Sequence, residues 1–182
     1  MATATLTNIG GRKDNSGTTV RMGASSGNVI YDDACWKFTV PTDSSISSYS
    51  TISFTLKWNG DNFKKSISGY TVGITTVSST GTGSGDQHSD GKNIYQITSG
   101  VLKKATYTLG ATDDSRSHTF TFTGLTLKPG TTYYIRANNG SKSSSYKNVY
   151  TDAGSVTLSG ITYAYSNCTA PSTVTISSTS TT

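Results

Sequence analysis

The stretch Ile52-Ser53-Phe54-Thr55-Leu56-Lys57-Trp58 decides the fold class. Its apolar residues occupy every second position and its polar residues the positions between. Successive side chains of a β-strand point to opposite faces, so a period of two describes a strand with one face buried and one in water. Wound as a helix, the same stretch would put apolar groups on two opposite sides.

The period recurs in both directions along the chain. Trp36, Phe38 and Val40 share one phase, against Cys35, Lys37 and Thr39. Tyr70, Val72 and Ile74 follow, then Ile94 to Ile97, then Tyr107 and Leu109. Phe120 and Phe122 alternate with threonines, and Tyr133, Ile135 and Ala137 alternate with Tyr134 and Arg136. Val20 with Met22, and Val29 with Tyr31, supply weaker early strands. Val156 and Leu158 hold one phase while Ile161, Tyr163 and Tyr165 hold the other. A one-residue shift turns every side chain over, so a bulge or sharp bend is expected at Ser159-Gly160.

Turn chemistry separates these runs. Asn59-Gly60-Asp61-Asn62 reads as a tight hairpin. Pro41-Thr42-Asp43, Lys128-Pro129-Gly130 and Asn138-Asn139-Gly140 are further breaks. No segment carries an apolar period of 3.6, and Ile46–Tyr49 is expected to form at most one helical turn. Roughly nine or ten strands over about 165 residues exceed a single immunoglobulin-sized unit. The expected fold is all-β: one two-sheet antiparallel sandwich of jelly-roll type over residues 1–166. Residues 167–182 are read as a Ser/Thr-rich linker or the first strand of a truncated following domain.

Composition agrees. About a third of the 182 residues are serine or threonine, and there is no glutamate. Threonine, valine, isoleucine and tyrosine suit a pleated, half-buried surface, whereas glutamate is among the residues that fill helix surfaces. The formal charge of +5 comes from scattered lysines and arginines, with only short pairs such as Lys64-Lys65 and Lys103-Lys104. A groove that tracks a nucleic-acid backbone needs clustered basic residues with interleaved aromatics, so no nucleic-acid partner is expected. No apolar stretch approaches membrane-spanning length, and Met1–Gly10 has no signal-peptide pattern. Cys35 and Cys168 are far apart; a bond between them would stabilise the fold by about 4–5 kcal/mol in the chain-entropy picture. Without a secretory signal, free thiols are the expectation.

The residues offer little for catalysis. The ten acidic residues are all aspartates and nearly all sit in turn contexts, where Asp serves backbone hydrogen bonding. Two histidines, His88 and His118, are the whole imidazole supply. His118 reads as an edge or surface residue. His88 lies in Gly85-Asp86-Gln87-His88-Ser89-Asp90-Gly91, without a second histidine or cysteine at zinc-ligand spacing. Asp86, Gln87 and Asp90 resemble a calcium loop loosely, as do the pairs Asp32-Asp33 and Asp113-Asp114, so calcium is the one cofactor considered and no metal site is assigned. No Gly-x-Ser-x-Gly elbow or phosphate-binding glycine motif is present. A non-enzymatic protein is expected, with contact made by loops 79–93 and 138–147. Asp86, Gln87, His88, Asp90, Tyr134, Asn138, Asn139 and Tyr146 are the candidate ligand-binding residues. Trp36 and Trp58 share the phase of their strands' apolar residues and belong to the core.

Leu127-Lys128-Pro129-Gly130-Thr131-Thr132-Tyr133 resembles the Leu-x-Pro-x-Thr-x-Tyr corner of fibronectin-type and related sandwiches, which implies a sandwich whose tyrosine hydroxyl bonds nearby backbone. Val20–Gly23, Ala34–Pro41 and Ser50–Trp58 together look like the opening of jelly-roll modules in bacterial wall and phage proteins. Phe120–Asn138 followed by Ser155–Tyr165 is similar to carbohydrate-binding-like jelly rolls of phage tail and baseplate proteins. These likenesses imply a structural or adhesive module of a phage or prophage virion, tail- or fibre-associated. Its implied partners are other virion or surface proteins and cell-surface polysaccharide, with oligomerisation open. The alternative is a carbohydrate-binding module of a secreted bacterial polysaccharide-degrading enzyme or a surface adhesin.

Overall fold

The computed structural model describes residues 1–10, 12–13, 20–22, 24–25, 29–30, 34–59, 69–78, 97, 99–108, 117–139 and 149–165. In chain order the strands are β1 (Ala2–Thr5), β2 (Thr7–Gly10), β3 (Arg12–Lys13), β4 (Val20–Met22), β5 (Ala24–Ser25), β6 (Val29–Ile30), β7 (Ala34–Thr39), β8 (Ile46–Asn59), β9 (Gly69–Thr75), β10 (Val101–Thr108), β11 (Ser117–Phe122), β12 (Thr132–Asn139) and β13 (Val149–Tyr163). Nine of these are four residues or longer. The described residues contain no helix.

They form two antiparallel sheets. The first runs β11-β8-β13-β4-β3, with β1 also pairing β13, and the second runs β10-β9-β12-β7-β2. The short pair β5-β6 stands apart. Pairing is nested around β9 and β10: these two pair with each other, β8 pairs β11, β7 pairs β12, and β4 pairs β13. That is the wiring of one long hairpin folded over itself. Of the hairpin read at Asn59-Gly60-Asp61-Asn62, residues 60–62 lie outside the described residues, and the described strands on either side, β8 and β9, do not pair with each other. Those strands instead lie in opposite sheets, because β8 finds its partners in β11 and β13, far along the chain. A turn dipeptide favours a local bend; it does not choose the partner.

Alternation puts the apolar phase of each strand between the sheets. The core contains Trp36 and Phe38 from β7, Ile52, Phe54 and Leu56 from β8, and Val72 and Ile74 from β9. Phe120 and Phe122 join from β11, Tyr133 and Ile135 from β12, and Val156 and Leu158 from β13. Phe54 stacks with Phe120 and Phe122 at centroid distances of 5.7 and 6.1 Å. Burying each large side chain stabilises the fold by about 1.5–3 kcal/mol relative to exposing it. Trp58 lies in β8 opposite Thr151, but its side chain is outside the described residues.

Among the described residues, contacts bridge the two sheets on both sides of the sandwich. On one side β1 pairs β13 of the first sheet and β2 pairs β7 of the second, with only buried Leu6 between them. One extended segment thus laces the two sheets together. On the other side Tyr107 of β10 stacks on His118 of β11 at 4.0 Å, and His118 meets Phe120 edge-on at 4.7 Å. His118 is therefore an edge-strand histidine whose ring helps seal the seam.

Ile46 already belongs to β8, opposite Tyr163, and Tyr49 exchanges backbone hydrogen bonds of 2.9 Å with Leu127. This corrects the helical turn expected at Ile46–Tyr49. The chain turns just before it, where Asp43 Oδ1 accepts from the Ser45 amide (2.9 Å) and hydroxyl (2.6 Å). The Ser45 hydroxyl, then its amide, hold the Asp43 carboxyl below the usual aspartate range.

The tyrosine corner forms as its residues imply. Gly130 adopts φ 74°, and the Tyr133 hydroxyl accepts the Lys128 amide at 3.1 Å. Tyr133→Phe removes that acceptor from a partly buried amide and is expected to lower unfolding free energy by about 1–2 kcal/mol. Chemical denaturation measures it, and an unchanged midpoint would mean that the hydroxyl contributes nothing.

Candidate contact surface

The first sheet's outer face is built from the polar phase of four strands. Register brings Thr3 of β1 opposite Thr157 of β13, Thr157 opposite Ser53 of β8, and Ser53 opposite Thr121 of β11. A second row follows two residues away. There Thr5 faces Ser155 and Thr55 faces Thr119, with the ladder between β13 and β8 shifted at Ala153/Val156. Each row thus carries four hydroxyl side chains, and none of the eight residues is charged. Strands lie about 4.8 Å apart and alternate residues about 6.8 Å apart along a strand, so the hydroxyls form a two-dimensional grid.

Part of this hydrogen-bonding capacity is spent inside the sheet. Thr55 and Thr119 share a hydrogen bond of 2.8 Å, and Ser53 and Thr121 one of 3.1 Å. Two hydroxyls together offer two donors and four lone pairs. One mutual bond leaves one donor and three acceptor sites per pair facing water. Such a surface can donate to and accept from a neutral, hydroxyl-rich partner.

The second sheet's outer face is different. Cys35, Gly73 and Arg136 form one row across β7, β12 and β9, and all three are buried, Arg136 at 8% exposure. Ile97, itself buried, lies over Gly73: a Cβ on this glycine would sit 3.0 Å from Ile97 Cγ2. The phase assigned to Cys35 and Arg136 is correct, but a face that alternation marks as solvent is covered here. Of the strand expected over Ile94 to Ile97, only Ile97 is described, and it lies outside the strands.

The remaining candidates fall in three places. Tyr134 is half-buried on the second sheet's outer face, with Thr75 and Lys37 opposite it on the flanking strands. Asn138 and Asn139 were expected in a loop starting at 138, but both belong to β12 and pair with Thr71 and Tyr70. The ladder with β9 carries the strand two residues past the point where the Asn-Asn-Gly signal would end it. Asp86, Gln87, His88, Asp90 and Tyr146 lie outside the described residues, as do Cys168, Asp32-Asp33 and Asp113-Asp114. Among the described residues no three His, Cys, Asp or Glu side chains stand close enough to share a metal ion.

The hydroxyl grid was missed in the sequence. Its signal was present as the pairs Thr3/Thr5, Ser53/Thr55, Thr119/Thr121 and Ser155/Thr157, each two residues apart. What could not be read was that these pairs fall into register. Compared with known proteins, the chain matches no family model and no curated protein.

Proposed function

We propose that the chain is a jelly-roll module that works by contact rather than catalysis: a structural or adhesive part of a phage or prophage virion, tail- or fibre-associated, whose hydroxyl-bearing face meets host-surface glycan. The nested pairing of β4 to β13 around the β9-β10 hairpin supports the jelly-roll reading, since it gives four nested pairs distributed over two sheets. The observation that carries the contact role is the uncharged grid of Thr3, Thr5, Ser53, Thr55, Thr119, Thr121, Ser155 and Thr157. A neutral polysaccharide presents hydroxyls at comparable intervals, and a flat grid can engage several at once.

Affinity electrophoresis against bacterial wall polysaccharides tests the reading, with T3V/T55V/T157V as the variant. Valine keeps the strand shape and removes the hydroxyls, so the fold should persist while retardation falls at least about tenfold, one hydrogen bond being worth about 1 kcal/mol. Equal retardation of variant and parent would exclude this face. Retardation only by plant polysaccharides would favour a carbohydrate-binding module of a polysaccharide-degrading enzyme.

A further inference from the structure

A sheet that is not closed into a barrel has edges whose unpaired N–H and C=O groups invite another strand, and proteins guard such edges with charge, bulges or very short strands. Of the edge strands, β1 is uncharged and has no register shift but is only four residues long, and three others carry such devices. β10 has Lys103 and Lys104 together with a register shift at Val101/Lys103. β2 has a register shift at Asn8/Gly10 and passes directly into the other sheet through Leu6. At the far end of the first sheet, β3 is two residues long and both are basic, Arg12 and Lys13.

β11 has none of these. It reads Ser117-His118-Thr119-Phe120-Thr121-Phe122, six residues with no Lys, Arg, Asp or Pro, and its ladder with β8 runs from Ser117 to Phe122 without a shift. Among the described residues no strand pairs its other edge. Lys103 of β10 reaches towards Gly124, past the last ladder residue. The strand is also self-complementary. Thr119-Phe120-Thr121-Phe122-Thr123, whose last residue lies just beyond β11, reads the same in both directions. Antiparallel pairing with its own copy, centred on Thr121 or Phe120, therefore sets Thr beside Thr and Phe beside Phe at the centre, with His118 opposite Gly124 in the first register and Phe122 in the second. Both centres keep every side chain on its own face, since the phase is conserved. A two-fold axis perpendicular to the sheet would join two six-stranded sheets into one and extend the hydroxyl grid across the junction.

We propose that β11 is a dimerisation edge and that its partner is the β11 of a second copy of this chain. The inference does not depend on what the grid binds. The contact is small, at the transient end of specific interfaces, so a dissociation constant between about 1 µM and 1 mM is expected. Sedimentation equilibrium of the full chain should show the weight-average mass rising above 19.1 kDa towards twice that value with concentration. T119K/T121K places lysine beside lysine in both registers, on side chains that face solvent. It should hold the mass at the monomer value while thermal unfolding stays cooperative. T42K/T162K adds the same charge at exposed positions away from β11 and should leave the rise intact. A parent chain that stays monomeric up to about 1 mM would overturn the proposal. So would association that survives T119K/T121K, or that T42K/T162K abolishes equally.

Discussion

Trp36→Ala is expected to lower the unfolding free energy by about 3–5 kcal/mol, the range for truncating a large buried aromatic. Trp36 is 2% exposed and sits in the middle of β7, opposite Ile135 on one side and Asn8 on the other. Its ring lies between the sheets, so truncation removes apolar contact from both and leaves a void that neighbouring strands cannot close without breaking their ladders. Against a typical total of about 5–15 kcal/mol, the loss is large enough to unfold a marginal chain. The comparison is Tyr165→Ala, at a residue 98% exposed, which should change stability by no more than about 0.5 kcal/mol. Urea denaturation of both variants measures the difference. A Trp36→Ala cost below about 1.5 kcal/mol would show that this site collapses freely and that the two sheets are not tightly packed there.

Gly160→Ala should cost about 2–3 kcal/mol, which is large for the addition of one methyl group. Gly160 has φ 68°, a region that costs an L-residue about 1–2 kcal/mol. A Cβ there would also collide with the Ser50 hydroxyl on the facing strand. The two causes separate in a double-mutant cycle. In a Ser50→Ala background the collision with the hydroxyl is gone, and the cost should fall towards the backbone part, about 1–2 kcal/mol, with the Cβ of residue 50 still at 3.3 Å. Equal costs in the two backgrounds would assign the whole effect to the backbone and remove the steric part.

Gly160 also lies where the apolar phase of β13 changes. The phase change between Leu158 and Ile161 required a bulge or bend at Ser159-Gly160. No bulge forms there: Gly160 takes φ 68°, and the β13–β8 register runs past it unshifted, from Leu158↔Ile52 to Ile161↔Tyr49. Both strands change phase together, with Ile52 and Tyr49 buried three residues apart on β8. The shifts in this ladder fall elsewhere, at Ala153/Val156 and Thr162/Tyr163. Composition along β13 showed that its face must change; it could not show that its neighbour changes with it.

The candidate site was less legible than the fold. The residues singled out in the sequence were polar and aromatic side chains near turns, on the reasoning that loops carry function. Two of them, Asn138 and Asn139, are strand residues because β9 extends their ladder. The surface that the fold builds is made of threonines and serines so common in the chain that none stood out singly.

The sequence by itself determined the apolar phase of β7, β9, β11 and β12 and of the middle of β8, the change of phase along β13, and where the tyrosine corner turns. It did not mark β1, β2, the start of β8 or the end of β12 as strand. What it determined follows from steric and hydrophobic properties of adjacent residues, and adjacent residues are what a sequence displays. Only the tertiary structure decided that β8 lies between β11 and β13, that Ile97 covers Gly73 beside the buried Cys35 and Arg136, and that eight hydroxyl residues stand in two rows. Each of these depends on which distant strands meet and in what register. Every strand here offers much the same alternating face, so local pattern does not distinguish one partner from another; the packing of the whole sandwich does.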